Sequence, residues 1–212
     1  MDEEIQLINT NTKNEKIKKF FLDNKKKLIS SLLFVISILF FYFIFLEFKE
    51  KSKIKLAEEY NKITTRYLVN NKIDTKNQLI QMVKKNDSTY SPLALYFLID
   101  NNIIEESNEL NELFDQVINK TNLETEIKDL IIYKKALFNS DFTSENELLK
   151  ILNPLINSDS VWKSHALYLL AEYFFSKNEK EKSKEFFNKI MTSKNSNSNI
   201  KLEAQKRLNR DF

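Results

Sequence analysis

The sequence predicts an all-α protein: a transmembrane helix near the N-terminus, then a solenoid of stacked helical hairpins ending in a capping helix. Three observations predict it. Nineteen consecutive residues, Leu28–Leu46, carry no charge. Beyond them, apolar residues recur three and four positions apart, the spacing of one helix face. No segment sustains the period-two alternation with β-branched residues that marks a strand, and the chain has no glycine for hairpin turns.

Taken in order, residues 1–27 form a basic tail, of which residues 1–11 are polar and expected to be disordered. From about Thr12 the pattern leads helically into the span. At ~1.5 Å per residue, residues 28–46 reach roughly the ~30 Å of a bilayer core. A cleaved signal has a shorter apolar core and a small-residue cleavage site. Here the run closes on Phe40, Phe41, Tyr42, Phe43, Ile44 and Phe45, and Glu47, Phe48, Lys49 and Glu50 follow. The segment therefore reads as an uncleaved anchor, with Phe34, Phe41 and Phe45 facing lipid. The fifteen residues before it hold seven lysines and the fifteen after it four. That asymmetry predicts a cytoplasmic N-terminus and an external C-terminal domain, periplasmic in a bacterium.

Residues 47–72 read as a helical extension of the span, with Ile54, Leu56, Ala57, Tyr60, Ile63, Tyr67 and Leu68 on its apolar stripe. Residues 73–212 form the soluble domain. Helices are expected near 75–85, 91–101, 104–119, 123–139, 144–157, 160–177, 179–193 and 198–209. Thr75 with Gln78, Thr121 with Glu124, and Ser144 with Glu147 match the capping box. Ser91 before Pro92 reads as an N-cap and first helical position.

The last hairpin, Ser164–Asn195, carries a recognisable spacing. Leu167, Leu170, Ala171 and Phe174 lie on its first helix, and Ser183, Phe187 and Ile190 on its second. This is the tetratricopeptide (TPR) pattern, in which small residues mark close helix approach and aromatics fill the space beside it. Ala171 and Ser183 are the small pair. Asn178 stands at the turn usually held by glycine and is expected in a left-handed conformation. Ile132, Ala136, Leu148, Leu152 and Leu155 give a second copy 35 residues earlier. Ala94, Leu98, Leu110, Phe114 and Val117 can be read as a third. Helix 198–209 is then expected to cap the array.

Composition narrows function. The net charge is +3, but residues 1–69 carry +4 and residues 70–212 carry −1. The basicity belongs to the membrane flanks, and the folded domain has no charge excess to attract nucleic acid. Without glycine there is no phosphate-cradling loop, without cysteine no thiolate or disulfide, and one histidine builds no multi-histidine metal centre. No catalytic, cofactor or metal site is expected. Adjacent pairs Glu58–Glu59 and Glu105–Glu106 diverge by about 100° on a helix, so neither forms a catalytic dyad.

With this layout, and with Leu167–Phe174, Ser183–Ile190 and the closing AQKRLNRDF as its specific residues, the chain resembles a bacterial family. Its members are single-span inner-membrane proteins with a cytoplasmic tail and a periplasmic TPR-like domain, among them the ancillary subunit of the Sec translocon. The resemblance implies a non-enzymatic scaffold whose partners are the translocon, periplasmic chaperones or translocated chains. On stacked repeats the first helices line a concave groove. The groove-facing positions are then Tyr133, Asp141, His165, Tyr168 and Glu172, where aromatics with polar tips suit peptide binding. The alternative placement leaves Tyr133 and Tyr168 at solvent-exposed or inter-repeat positions, His165 as a satisfied surface residue and Trp162 as a staple at a helix start. Two other functional readings remain: an adaptor linking cell-envelope or division assemblies, and an enzyme with an unrecognised carboxylate site.

Overall fold

The computed structural model describes residues 15–16, 18–67 and 72–212. The polar segment 1–11, Lys13 and Leu68 lie outside them. Among the described residues the secondary structure is helical throughout, with no strand. The chain divides after Ala57 into two compact units.

In the first unit, helical residues 18–23 lead into α1, which as a whole runs Lys25–Tyr67. Among the described residues α1 is the one helix long and apolar enough to cross a membrane. Phe34, Phe41 and Phe45 are exposed, as are nearly all their neighbours between Leu28 and Leu46. That exposure suits surroundings as apolar as the side chains themselves.

The second unit begins with the last turns of α1, Glu58–Tyr67, and continues through α2 (Lys72–Lys84), α3 (Tyr90–Asp100), α4 (Ser107–Lys120), α5 (Thr125–Asn139), α6 (Glu145–Ile156), α7 (Lys163–Ser176), α8 (Lys180–Thr192) and α9 (Ser198–Asp211). Each of the eight expected helices is present, with ends shifted by a few residues. Tyr60 and Tyr67 of α1 meet Phe97 of α3 edge-on at 6.5 and 5.4 Å, and Ile63 between them is buried. The Glu59 carboxylate accepts from Lys85 Nζ at 2.6 Å. Aromatic edge contacts of this kind add to area burial, so the two tyrosines hold these turns of α1 on α3.

Packing follows the small residues. The α7–α8 pair is the most extensive in the domain. At its crossing Ser183 is fully buried and its Oγ donates to the Ala171 carbonyl at 2.8 Å. Phe174, Phe187 and Ile190 are buried around it, and Phe174 stacks on Phe186 at 5.4 Å. The α2–α3 pair repeats the device, with buried Ser91 Oγ donating to the Met82 carbonyl at 3.1 Å. Every apolar position assigned to the second and third copies is buried as well.

Three turns take positive φ on asparagine: Asn86 at 55°, Asn102 at 48° and Asn178 at 62°. At two of them the helix end closes in the same way. Glu179 N–H donates to the Phe174 carbonyl and Asn178 N–H to that of Phe175; Ile103 and Asn102 do the same with Leu98 and Ile99. These are paired closures of a helix end through a left-handed residue. At the third, Ser91 Oγ accepts from Asp87 N–H while donating to Met82, so a hydroxyl relays the outer bond.

Several helix starts differ from expectation. Ser144 caps α6, accepting from Glu147 N–H at 3.4 Å. Thr75 instead lies buried within α2, and Asp74 accepts from Gln78 Nε2 at 2.6 Å. Thr121 is the C-terminal cap of α4, and Glu124 precedes α5. Ser91 is inside α3, because Asp87 Oδ1 takes the N–H groups of Thr89 and Tyr90 at 2.9 and 2.8 Å. At α3 it is thus the Asp87 carboxylate that takes the first N–H groups.

The pairing phase also changes along the domain. α5 packs on α6 and α7 on α8, and α5, α7 and α9 touch in sequence. Nearer the start of the second unit, α3 packs more extensively on α2 than on α4, and α4 touches α2. The third copy, read across α3 and α4, therefore does not form the close pair that its spacing suggests. Lys76 pairs with Glu109 at 2.6 Å and Gln116 Nε2 donates to Asn86 Oδ1 at 2.7 Å, fixing α4 against α2 and its following turn.

The Ser183 crossing is open to test. Ser183→Ala should lower the unfolding free energy by ~1 kcal/mol, because the Ala171 carbonyl loses one hydrogen bond. Ser183→Leu should cost ~2 kcal/mol or more by overpacking. Urea unfolding of the full chain in detergent, followed through Trp162 emission, measures both; equal stability of all three chains would refute the close crossing.

Candidate functional site

The five sequence-predicted positions separate into three places. Tyr133 on α5 and His165 on α7 come together. Tyr168 and Glu172 continue along the same face of α7, since positions 162, 165, 168 and 172 fall at helical spacings of three and four. Asp141 does not join them; it is exposed in the turn after α5.

Tyr133 and Trp162 stack with ring centroids 5.6 Å apart and 20° between planes. His165 meets the Trp162 ring at 5.0 Å and the Tyr133 ring at 5.9 Å. All three are half-buried. Trp162 thus sits at the start of α7, as a staple would, and also stacks across to α5. Ser160 Oγ accepts from Trp162 N–H at 3.1 Å and fixes its backbone. The cluster offers a flat, partly exposed aromatic surface with polar tips.

Burial sets its protonation. Desolvation pushes the His165 imidazole below its ordinary value, and its buried Nδ1 has no hydrogen-bond partner. The same cause raises the Tyr133 phenol. The neutral forms are the ones this surface favours.

The other end of the face is taken by the chain itself. Arg207 of α9 donates to Glu172 through Nε at 2.7 Å and Nη2 at 2.8 Å, a two-point grip on the carboxylate. Its guanidinium lies 4.4 Å from the centre of the Phe175 ring and 5.8 Å from that of Phe187. Asp211 also accepts from Arg207 Nη1. Tyr168 packs edge-on against Phe187 at 5.5 Å. Burial raises the Tyr168 phenol, and neighbouring Glu172 adds to the effect. Glu172 is therefore committed to α9, and the open part of the expected groove is its Tyr133–Trp162–His165 end.

Two residues escaped the sequence reading. Arg207 follows Glu172 by 35 positions, the spacing that separates the two later repeat copies, so the period itself was the available signal. Tyr96 on α3 lines a cleft of about 600 Å³ with Pro92, Leu93, Leu123 and Ile127. Lys134, next to Tyr133 on α5, lies 4.6 Å over its ring. The Tyr96 hydroxyl is buried without a partner and is pushed up to about 12 by that burial, helped by Asp100.

Two outcomes follow. The neutral imidazole contributes stability that is complete above about pH 6.5 and is lost as pH falls below it, since the folded pKa lies under the unfolded one. Between about pH 7.5 and 5.5 the urea-unfolding midpoint should therefore fall, and the fall should be smaller in His165→Gln. An identical pH response in both chains would exclude His165 as the source. Arg207→Lys keeps the charge but loses the fork and the ring contact, and should cost ~1 kcal/mol in urea unfolding; no change would show α9 held by other contacts.

Comparison with protein-family models, curated proteins and solved structures gives no match to this chain.

Proposed function

We propose that the protein is a membrane-anchored, non-enzymatic scaffold whose TPR-like helical-repeat domain binds proteins near the bilayer. The observation that carries this reading is the Tyr133–Trp162–His165 surface. Three aromatic rings stay half-buried on packed helices and offer area at low entropic cost, as protein-binding surfaces do. Supporting the repeat form are the close α5–α6 and α7–α8 pairs, the contacts among α5, α7 and α9, and the Ser183–Ala171 crossing. Supporting the anchor is α1, long and apolar enough to span a bilayer. Tethering raises the effective concentration of a weak binder beside a membrane partner.

The specific form we propose is an inner-membrane protein with a cytoplasmic N-terminus and a periplasmic domain, accessory to the Sec translocon and its chaperones. The lysine asymmetry around the span and the family resemblance support it. The Lys194–Asn195 turn between α8 and α9 is exposed and offers a protease site. Trypsin added to cells with an opened outer barrier and a sealed inner membrane should cut there. Protection until detergent lysis would place the domain inside and overturn the translocon form. A photo-crosslinker replacing Tyr133 should, in the same cells, label translocon subunits or secreted chains, and one replacing Asp141 should not. Equal labelling from both positions would remove the aromatic surface from the binding site.

A further inference from the structure

The N-terminal flank of the span carries a dense cluster of exposed lysines. Lys16, Lys18, Lys19, Lys25, Lys26 and Lys27 are all exposed, and none makes an ion pair among the described residues. The fifteen residues before the span hold seven lysines with Glu15 and Asp23, whereas the fifteen after it hold four lysines with Glu47, Glu50, Glu58 and Glu59, and Lys51 pairs with Glu47 at 2.8 Å.

Side-chain order along α1 adds a second observation. Lys26, Lys27, Ser30, Ser31 and Phe34 line one shallow concave surface. Lys27, Ser31 and Phe34 lie four and three positions apart, and Lys26 and Ser30 four apart, so they fall along adjacent rows of the helix. From the tail toward the span the surface passes from two ammonium groups to two hydroxyls to an aromatic ring. A phospholipid has the same order: phosphate, ester oxygens, then acyl chain.

We propose that this surface binds an acidic phospholipid, with the phosphate between Lys26 and Lys27, the ester region at Ser30 and Ser31, and the acyl chain along Phe34. Lys16, Lys18, Lys19 and Lys25 contribute a surrounding positive field rather than the seat itself. Juxtamembrane lysine clusters draw acidic lipids in this way, and the attraction fades within a Debye length. The site rests on the reading of α1 as a membrane span.

The test uses the full chain in bilayers of phosphatidylcholine containing phosphatidylglycerol. Spin-labelled versions of each lipid report the fraction held at the protein. Phosphatidylglycerol should be favoured several-fold over phosphatidylcholine at ~0.1 M salt, and the preference should shrink at ~1 M. Lys26→Gln with Lys27→Gln should remove most of that preference. Lys53→Gln with Lys55→Gln on the other flank should leave it unchanged. No preference in the native chain, or equal loss from both double variants, would overturn the site. Release of the native chain by alkaline carbonate would overturn the membrane reading as well; a chain that stays in the bilayer without lipid preference overturns the site alone.

Discussion

The second unit depends on reversing and closely pairing helices in a chain that has no glycine. Glycine normally does two jobs in such a fold: it takes positive φ where a helix ends, and it lets two helix backbones approach. Here the jobs are divided. Asn86, Asn102 and Asn178 take the left-handed turns, and the amide side chain makes that conformation less costly than for most residues. Ser91, Ser183 and Ala171 stand where helices cross, and the serines hydrogen-bond the facing carbonyls. A hydroxyl at a buried crossing must find a partner, so each serine also fixes the register of its pair.

Once the pairs are fixed, the aromatic surface follows. The α5–α6 and α7–α8 pairs bring α5 and α7 alongside, and Tyr133 then reaches Trp162 and His165 across the joint. The same relation is repeated one step on, between α7 and α9. There Arg207, Phe175 and Glu172 interlock where the earlier joint has aromatic rings. The two joints differ in chemistry. One is a neutral surface that burial keeps neutral, and the other is a charged contact closed within the chain. This difference divides the expected groove into an open end and an occupied one.

A part-buried amide pair does comparable work at the change of pairing phase. Asn111 on α4 and Asn139 on α5 donate to each other at 2.9 and 2.8 Å, and Asn139 is nearly inaccessible. Two reciprocal bonds in a part-buried setting permit one register of α4 against α5, because any slip leaves amide groups unpaired. Lys135 with Asp115 at 2.7 Å supports the same register from the surface.

The sequence by itself determined the element types, the apolar core and the uncharged span. Those depend on composition and periodicity, which are local and repeat over many residues, so single-residue ambiguities average out. Ala171, Phe174, Ser183 and Phe187 were legible as a packed unit for that reason, and Asn178 as its turn. Helix starts were less legible. Thr75, Ser91 and Thr121 have the right neighbours for capping, but Thr75 and Ser91 lie inside helices, Thr121 ends one, and Asp87 takes the first N–H groups of α3; local pattern does not rank these placements. Only the tertiary structure decided that α3 joins α2, that Trp162 stacks on Tyr133, and that Glu172 is held by Arg207. Each of these is a choice between partners of equal local quality. Such a choice is settled by which helices lie side by side, and the Tyr133–Trp162 and Glu172–Arg207 contacts join residues nearly thirty or more positions apart, beyond any local window.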